Sequence, residues 1–482
     1  MTRDTVRFRL DGVVHEVCNP DPTMTVLRYL RESLRRTGTK EGCGEGDCGA
    51  CTIVVADPEA RPVFRALNAC ILFLPMIDGK SLYTVESVSP PDGPLHPVQQ
   101  ALVDSNASQC GFCTPGFVMS LYACYRNGLE LDEAGARDAL AGNLCRCTGY
   151  GPIIAAAQRM AHYPAPDQTA PLTIDSDGML AIVYEASGTT RRFFAPRNLA
   201  ELAELSAAYP NATYVAGATD VGLWVTKRLA ILQTIISLGR VAELRQISET
   251  DNAIEIGAAV SYAEAYAALA RMHPDIGELL RRLGSVQLRN AGTIGGNIAN
   301  GSPIGDSLPP LIALGARAGL NKGGVRRTLP LEDFFLGYGK QDRAPGEFVE
   351  TILVPKRVGR VFRAHKISKR FDQDISAVCA AIAFRREGET LRDVRLAFGG
   401  MAATPKRAAN TEAVLEGSVW SETIIRDAMA ALEMDFAPIS DMRASAAYRL
   451  LVAKTFLWRL WLEGSGAPLV RVPQEEALHD GA

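Results

Sequence analysis

Cysteine is concentrated at one end of this chain. Ten of its 11 cysteines lie within the first 147 of 482 residues, and only Cys379 lies beyond them. An odd number of cysteines, together with an N-terminus that lacks the apolar stretch of an export signal, disfavours a framework of disulfides. We therefore expect the N-terminal third to use its thiols as metal ligands, and the remainder of the chain to have a different role.

The composition is that of a multidomain globular protein. Apolar residues make up 47% and charged residues 22% of the chain, and its length predicts roughly three or four domains. Lys and Arg number 51 against 54 Asp and Glu, which gives a net charge of −3. This balance gives no electrostatic reason to expect nucleic acid or an anionic membrane as a partner. The longest apolar run, residues 70–77, is too short to span a bilayer, so we expect a cytoplasmic protein.

The first group of cysteines has a specific spacing. Cys43, Cys48 and Cys51 follow the pattern C-x4-C-x2-C, and Cys70 comes after eighteen further residues. Plant-type [2Fe–2S] ferredoxins use this spacing, and the interleaved glycines let backbone N–H groups approach the sulfurs. A structural zinc site also uses four cysteines, but usually as two short C-x2-4-C pairs. The spacing therefore favours an iron–sulfur cluster over zinc.

The second group consists of two short pairs, Cys110 with Cys113 and Cys145 with Cys147. This spacing is less specific, and zinc is a fair alternative. Both pairs lie just before predicted helices, whose N-terminal N–H groups favour an anionic cluster. A second [2Fe–2S] cluster beside the first would form an electron-transfer chain. Three cysteines have no partner at ligand spacing and are expected to be small buried apolar residues: Cys18, Cys124 and Cys379.

The order of predicted elements indicates an α+β multidomain fold. Residues 6–18 alternate around Asp11-Gly12, which predicts a β-hairpin. Helical patterns fill residues 95–161, and a stretch rich in Pro, Asp, Ser and Thr follows them as a linker. The expected regions are a small α+β domain (1–88), a helical domain (89–161), a linker (162–185), a mixed α/β domain (186–360) and a C-terminal α+β domain (361–475).

Two glycine-rich loops stand out in the second half of the chain. No G-x-G-x-x-G follows a strand, so a Rossmann dinucleotide site is not supported. The loops at residues 215–221 and 293–306 instead combine small residues with Thr, Asn and Ser, and could offer N–H and hydroxyl donors to a pyrophosphate. Tight turns in any α/β sheet look similar, so these loops alone are weak evidence for a phosphate site.

Three cysteine-containing segments resemble the iron–sulfur region of the molybdenum hydroxylases, the xanthine dehydrogenase/aldehyde oxidase family. They are the loop at residues 42–51, the segment Gln-Cys-Gly-Phe-Cys-Thr-Pro-Gly at 109–116, and Gly-Asn-Leu-Cys-Arg-Cys-Thr-Gly-Tyr at 142–150. The resemblance implies a β-grasp ferredoxin domain followed by a four-helix [2Fe–2S] domain. Gln109 matches a family glutamine that lies close to the pterin of the molybdenum cofactor.

The glycine-rich loops resemble the FAD-binding loops of the same family. Lys366 matches a flavin-contacting lysine, and residues 370–374 resemble a stretch beside the nicotinamide pocket, although Asp372 and Asp374 could equally form a solvated turn. At Ala218 many relatives carry Gly or Asn. The resemblance implies the following FAD-binding residues: Val215, Ala216, Gly217, Ala218, Thr219, Asp220, Val221, Gly284, Thr293, Gly296, Asn297, Asp306, Val349 and Lys366.

The resemblance also implies a function. The family's molybdopterin domains need several hundred further residues, so we expect a separate molybdenum-cofactor subunit and a heterotetramer with two copies of each chain. Hypoxanthine and xanthine would be hydroxylated on that subunit, and electrons would pass through two [2Fe–2S] clusters to FAD and then to NAD⁺. The alternatives are an aldehyde or N-heterocycle hydroxylase of the same architecture, a stand-alone electron-carrier flavoprotein, and a zinc-stapled binding module.

Overall fold

The computed structural model describes residues 2–90, 92–166, 171, 174, 177–186, 188–356 and 359–467. Parts of the expected linker (167–170, 172–173 and 175–176) and the end of the expected C-terminal domain (468–475) lie outside the described residues. Four units follow one another along the described chain, and together they form the expected α+β multidomain fold.

The N-terminal unit is a five-stranded sheet that begins with the expected hairpin. Asp11 and Gly12 both have positive φ angles, 53° and 78°, as the favoured two-residue hairpin turn requires. The elements are β1 Thr2–Arg3, β2 Thr5–Leu10, β3 Val13–Cys18, α1 Val26–Arg28, β4 Thr52–Ala56, β5 Phe64–Asn68 and β6 Ser81–Tyr83. The sheet order is β3-β2-β6-β4-β5, with β2 and β6 parallel, which is a β-grasp arrangement.

One expectation for the unpaired cysteines is wrong. Cys124 and Cys379 are buried as expected, but Cys18 is exposed. The reason is its position at the end of β3, which is an edge strand of the sheet and has no fully buried residue.

The second unit is a group of four helices. They are α2 Pro97–Asp104, α3 Thr114–Arg126, α4 Glu133–Leu140 and α5 Gly151–Arg159. Apolar residues such as Phe117, Leu121 and Ile153 form its core, and the same cluster includes Val54 and Phe64 of the N-terminal sheet. The helical unit and the β-grasp unit are therefore packed through one shared hydrophobic core.

The third unit contains two five-stranded sheets with helices packed on them. Its strands are β7 Met179–Ala186, β8 Thr189–Ala195, β9 Thr213–Val215, β10 Thr234–Ser237, β11 Ile247–Glu249, β12 Ala253–Gly257, β13 Arg317–Lys322, β14 Val325–Pro330, β15 Phe335–Gly337, β16 Lys340–Gln341 and β17 Phe348–Pro355. The first sheet has the order β1-β7-β8-β10-β9 and the second β11-β12-β17-β13-β14. Strand β7 starts within the segment expected as a linker, and it pairs with the N-terminal β1.

The helices of this third unit have different neighbours: some contact the two N-terminal units, and others contact the sheet of the fourth unit. They are α6 Leu199–Ala208, α7 Val221–Thr226, α8 Tyr262–Ala270, α9 Pro274–Arg281, α10 Val286–Ala291, α11 Ile294–Asn300 and α12 Leu308–Leu314. Both glycine-rich loops belong here: one follows β9 and leads into α7, and the other begins at the junction of α10 and α11. Their position matters for the site described below.

The fourth unit is an antiparallel sheet covered by helices. It contains β18 Val361–Ile367, β19 Val378–Glu387, β20 Thr390–Gly399, β21 Lys406–Arg407, α13 Ala409–Leu415, α14 Glu422–Asp435 and α15 Ala446–Gly464. The sheet order follows the chain order. Arg449 on α15 is fully buried and donates to the backbone carbonyls of Ala377 and Gly400, so the last helix holds the segment before β19.

Even the longest helix has no membrane-spanning character. Helix α15 has 19 residues but carries Arg449, Lys454, Arg459 and Glu463 along its length. Within the described ranges, no helix is both long and apolar enough to cross a membrane.

Candidate cofactor site

The four thiols of the first quartet lie in two pairs. The thiol of Cys43 lies beside that of Cys48, and the thiol of Cys51 lies beside that of Cys70. A [2Fe–2S] cluster takes two thiolates on each iron. The arrangement in two pairs therefore fits such a cluster.

The loop around Cys43 is shaped to stabilise negative charge on sulfur. Its Sγ accepts hydrogen bonds from the backbone N–H groups of Glu45 (3.4 Å), Asp47 (3.3 Å) and Cys48 (3.4 Å). The Cys48 thiol and these N–H groups lower the pKa of Cys43 to about 5. Three glycines give the loop its curvature by taking positive φ angles: Gly44 (65°), Gly46 (80°) and Gly49 (71°).

The second quartet also consists of two pairs. Cys110 contacts Cys147, and Cys113 contacts Cys145. The first pair is exposed and the second is half-buried, so one side of this quartet faces outward. Cys113 caps the N-terminus of α3, and the segment with Cys145 and Cys147 leads into α5, as the sequence predicts. Gln109 is exposed beside the outer pair.

A backbone hydrogen bond connects the two quartets. The N–H of Leu144, next to the ligand Cys145, donates to the carbonyl of Cys48 at 3.0 Å. The segment that carries half of the second quartet is thereby fixed directly on the loop of the first. The two candidate clusters are neighbours within one packed structure.

The structure brings the two glycine-rich loops together. A Cβ built on Gly217 would lie 1.8 Å from the carbonyl oxygen of Ala291, a distance at which only glycine fits. A Cβ on Gly292 would be 3.4 Å from the Oγ1 of Thr219, so the next residues are also in contact. Thr293 then accepts a hydrogen bond from the N–H of Gly296 at 3.0 Å. Small residues of both loops therefore surround one position, as binding of a pyrophosphate by both loops requires.

Ala218 has a backbone conformation that accounts for the Gly or Asn expected at this position in many relatives. Its φ is +59°, in the left-handed region where Gly and Asn are favoured and other residues are strained. An alanine can adopt this angle at a cost of about 1 kcal/mol. The loop therefore retains its shape, while a side-chain contact of the kind Asn could make is absent here.

A buried ion pair lies beside the second loop. Lys366 Nζ is 2.6 Å from Asp306 Oδ2, and these side chains are only 1% and 7% exposed. Asp306 also accepts from the hydroxyl of Ser376, while Lys366 donates to the carbonyl of Arg282 at 3.2 Å. Ser307 donates to Asn297 at 3.0 Å. Asp306 and Lys366 thus form a buried pair between segments 60 positions apart, beside the loop that also carries Asn297.

The other expected FAD-binding residues have different surroundings. Val349 lies in the hydrophobic core on β17, and Gly284 has a φ of +57° and packs against Leu288. Asp220 precedes α7 without capping it through its side chain, and burial raises its pKa. Three residues supply backbone to the first loop: Val215, Ala216 and Val221.

The flavin loops adjoin the first cysteine quartet. A Cβ on Gly222, in α7, would lie 2.6 Å from the carbonyl oxygen of Ile71, which follows the ligand Cys70. The amine of Lys227 donates to the carbonyl of Cys43, and the amide of Gln373 donates to the carbonyl of Asp47 at 2.6 Å. The sequence identifies the loops and the quartet separately, whereas these contacts between them follow only from the folded chain.

The acidic stretch near residues 370–374 is not a fully solvated turn. Asp372 pairs with Arg281 at 3.4 Å, and Arg281 in turn pairs with Asp138 of the helical unit at 3.3 Å. Asp374 accepts from the backbone N–H of Arg370 at 2.9 Å. These acids are therefore structurally engaged, and Arg281 of the third unit connects Asp372 of the C-terminal unit to the helical unit.

Sequence reasoning missed a buried polar group formed by Thr52, Ser120, Asn143 and Gln287. Their side chains hydrogen-bond to one another across three units. The residues are separated by up to 235 positions along the chain, and no local spacing marks them. The only sequence signal would have been a glutamine and an asparagine within otherwise apolar or glycine-rich surroundings.

Comparison with known families gives a continuous series of matches along the chain. Residues 8–74 match a 2Fe-2S iron-sulfur cluster binding domain, and residues 84–158 match a [2Fe-2S] binding domain. Residues 188–357 match the FAD binding domain in molybdopterin dehydrogenase, and residues 363–464 match the CO dehydrogenase flavoprotein C-terminal domain.

Curated relatives include xanthine dehydrogenase from Emericella nidulans, 32% identical over 95% of this chain and 38% of the relative. Xanthine dehydrogenase/oxidase from Gallus gallus is 29% identical over 96% of this chain and 40% of the relative. The chain thus spans about two fifths of the length of the curated relatives it matches.

Solved structures cover a smaller part of this chain. Carbon monoxide dehydrogenase from Hydrogenophaga pseudoflava has a TM-score of 0.53 and 28% identity over 55% of this chain and 94% of the solved chain. Quinoline 2-oxidoreductase from Pseudomonas putida 86 has a TM-score of 0.51 and 25% identity over 56% of this chain and 94% of the solved chain.

Two cysteine quartets and a pair of apposed glycine loops, with matching families in the same order, define an iron–sulfur flavoprotein. More specifically, the chain belongs to the molybdenum hydroxylase family and carries the iron–sulfur and FAD domains of such an enzyme.

The contact between the glycine loops can be tested at Gly217. Gly217→Ala should displace the Ala291 carbonyl and the loop that follows it, because a Cβ there has no room. We expect protein that loses most of its FAD while its iron content is unchanged. Gly239→Ala is the matched control, since a Cβ at Gly239 meets no atom within 4 Å. Flavin content equal to wild type in Gly217→Ala would refute the role of this contact.

Proposed function

We propose that this chain is the iron–sulfur/FAD subunit of a xanthine dehydrogenase. In this proposal purines are hydroxylated on a separate molybdenum-cofactor subunit, and the electrons are delivered through this chain to NAD⁺. The main support is a series of contacts that leads from the second cysteine quartet, through the first quartet, to the flavin loops. Bound clusters supply one-electron redox groups, and FAD links them to hydride chemistry.

The residues of this chain position the groups between which electrons would move. Cys110 and Cys147 form the exposed pair and would face the partner subunit. The Leu144 to Cys48 hydrogen bond joins the second quartet to the first. Gly222 then permits α7 to approach the backbone next to Cys70. Backbone contacts thus hold each of these steps, and the side chains of Lys227 and Gln373 add to the last one.

The share of this chain that matches the xanthine dehydrogenases favours xanthine as the substrate. The xanthine dehydrogenases match 95–96% of this chain, which means that all four units occur in the same order in those relatives. The solved carbon monoxide dehydrogenase matches only 55% of it. About half of this chain covers 94% of that solved chain, so related parts can occur on separate polypeptides. This supports a separate molybdenum subunit, and the complex that we propose contains two copies of each chain.

The second candidate is a hydroxylase of another N-heterocycle or an aldehyde. The similarity to quinoline 2-oxidoreductase favours the heterocycle class. Purines, quinoline and a simple aldehyde should be compared as substrates of the purified complex with NAD⁺ as acceptor. Turnover of purines alone supports the proposal, and turnover of quinoline or aldehyde alone replaces it with the second candidate.

Cofactor content separates an electron-transfer subunit from a zinc-stapled module. We expect about four irons per chain, from two [2Fe–2S] clusters, together with one FAD and visible absorption from both. Cys48→Ser should lose about half of the iron, because it removes a ligand of one quartet. Cys18→Ser should lose none, since Cys18 is exposed and belongs to neither quartet. Stoichiometric zinc in a colourless protein would exclude the proposal.

The order of the route can be tested at the exposed pair. Cys147→Ser in the assembled complex should abolish xanthine-dependent NAD⁺ reduction, because this path crosses the second quartet. Electron transfer from NADH to an artificial dye should remain, because it needs only the flavin side. Cys18→Ser is again the control and should retain both activities. Equal loss of both activities, with the partner still bound, would mean that this quartet does not link molybdenum to flavin.

The acceptor can be tested at the acidic stretch. Asp374→Asn should raise the KM for NAD⁺ about tenfold, as expected for the loss of one charge-assisted hydrogen bond to the nucleotide. Reduction of the clusters by xanthine should stay at the wild-type rate, because the substrate site is on the partner. Asp427→Asn, an exposed acid on α14, provides the control. Slower cluster reduction in Asp374→Asn would mean that residues 370–374 do not border the NAD⁺ site.

A further inference from the structure

The buried side chain of a glutamine lies where three units of the chain meet. Gln287 lies on α10 of the third unit, which is called the flavin-side unit because it carries both glycine-rich loops, and it is 1% exposed. Its neighbours are Thr52 at the start of β4, Ser120 on α3 and Asn143 before the second quartet, each 2% exposed. These four side chains are called the polar junction below.

The hydrogen bonds of the polar junction lead from the amide of Gln287, which donates, to the carbonyl of Gly49, which accepts. Gln287 Nε2 donates to the hydroxyls of Thr52 and Ser120, both at 3.2 Å, and to Asn143 Oδ1 at 3.0 Å. Ser120 donates to the same Asn143 oxygen at 2.6 Å. Thr52 and Asn143 both donate onward to the carbonyl of Gly49, at 2.7 and 3.1 Å. One amide therefore ties the flavin-side helix to both cysteine-bearing units.

Simple packing does not account for this glutamine. Its Oε1 is buried and has no hydrogen-bond partner among the described residues, which costs about 1–3 kcal/mol. An apolar side chain of similar size would avoid that cost. What only the amide provides is a pair of N–H donors shared among three acceptors from two other units. The geometry thus favours placement of those units as its role.

Glycines make the junction narrow. A Cβ on Gly49 would lie 2.2 Å from the carbonyl oxygen of Gly142, and a Cβ on Gly116 would lie 2.3 Å from that of Gly49. A Cβ on Gly142 would lie 2.1 Å from Gln287 Oε1. The backbones are therefore at their closest possible approach, and small changes at Gln287 would be transmitted to them.

The junction lies between the ligands of the two quartets. Gly49 separates Cys48 from Cys51, so the carbonyl held by Thr52 and Asn143 belongs to the loop of the first quartet. Asn143 precedes Leu144, whose N–H binds the carbonyl of Cys48, and the ligand Cys145 follows. A shift of Asn143 would therefore move the two quartets relative to each other.

We propose that Gln287 is a positioning residue that sets the separation and orientation of the two [2Fe–2S] clusters. It acts through Thr52, Ser120 and Asn143 rather than by touching a cluster. The inference rests on the proposed function in that both quartets must hold clusters. Helix α10 leads directly into the Gly292–Thr293 segment. Gln287 therefore also fixes the position of the second glycine-rich loop relative to the two quartets.

The test is magnetic, since two reduced [2Fe–2S] clusters are paramagnetic and their dipolar interaction depends steeply on separation and orientation. The variants are Gln287→Met and Gln287→Glu, which keep the length of the side chain but remove its N–H donors. Iron and FAD are measured first, and then the electron paramagnetic resonance spectrum of the dithionite-reduced protein is recorded. We expect full cofactor content with a changed or broadened dipolar splitting in both variants.

The matched control is Asn290→Ala on the same helix. Asn290 is 5% exposed and also donates across units, to the carbonyl of Ala66 at 3.1 Å, but it contacts neither quartet loop. Its splitting should equal that of wild type. An equal change in Asn290→Ala would mean that any loosening of α10 has this effect, and an unchanged splitting in Gln287→Met would also overturn the proposal.

A milder variant provides a test in case the Gln287 variants do not fold. Ser120→Ala removes one acceptor of the junction from the side of the helical unit and should alter the splitting in the same sense, to a smaller extent. An unaltered splitting in Ser120→Ala would count against the proposal when Gln287→Met does not fold. Wild-type protein without iron would refute the proposed function instead, because the two clusters would then not exist.

Discussion

Close approach of backbones at glycine is the constraint on which the rest of this structure depends. Gly49, Gly116 and Gly142 let the two cysteine-bearing units come together, and Gly217 and Gly222 do the same for the flavin loops. A side chain at any of these positions would collide with a carbonyl or a side-chain atom within 3 Å. Because electron transfer needs cofactors held close together, these contacts connect the choice of glycine directly to function.

Polar contacts act together with the shared hydrophobic cores to fix the relative position of the units. Arg281 joins Asp138 of the helical unit to Asp372 of the C-terminal unit, and Gln287 joins three segments in the polar junction. Hydrogen bonds and ion pairs are directional, so they select one arrangement where apolar surfaces would permit several. The side chains of Arg281, Asp138 and Asp372 are 28–33% exposed, so their ion pairs contribute little net stability, and their role here is consistent with positioning.

Local patterns in the sequence predict a large part of this arrangement. Cysteine spacing identifies both quartets, and the Asp11-Gly12 turn and the four helices follow from turn and capping signals. What local patterns cannot provide is contact between remote segments. The ion pair of Lys366 with Asp306 spans 60 residues, and the bond from Gln287 to Thr52 spans 235. The exposure of Cys18 was missed for the same reason, since an edge strand is defined by its neighbours.

The two-by-two arrangement of thiols has a consequence for how the chain discriminates between metals. A cysteine group that surrounds one point would accept zinc as readily as iron, because both bind thiolates. Here each quartet is divided into two pairs, as the two irons of a [2Fe–2S] cluster require. In the first quartet, three backbone N–H groups donate to Cys43 and the N–H of Cys43 donates to Cys48, so the loop stabilises negative charge on one of these pairs. The backbone path between the cysteines thus sets the pairing, and the thiols themselves are common to both metals.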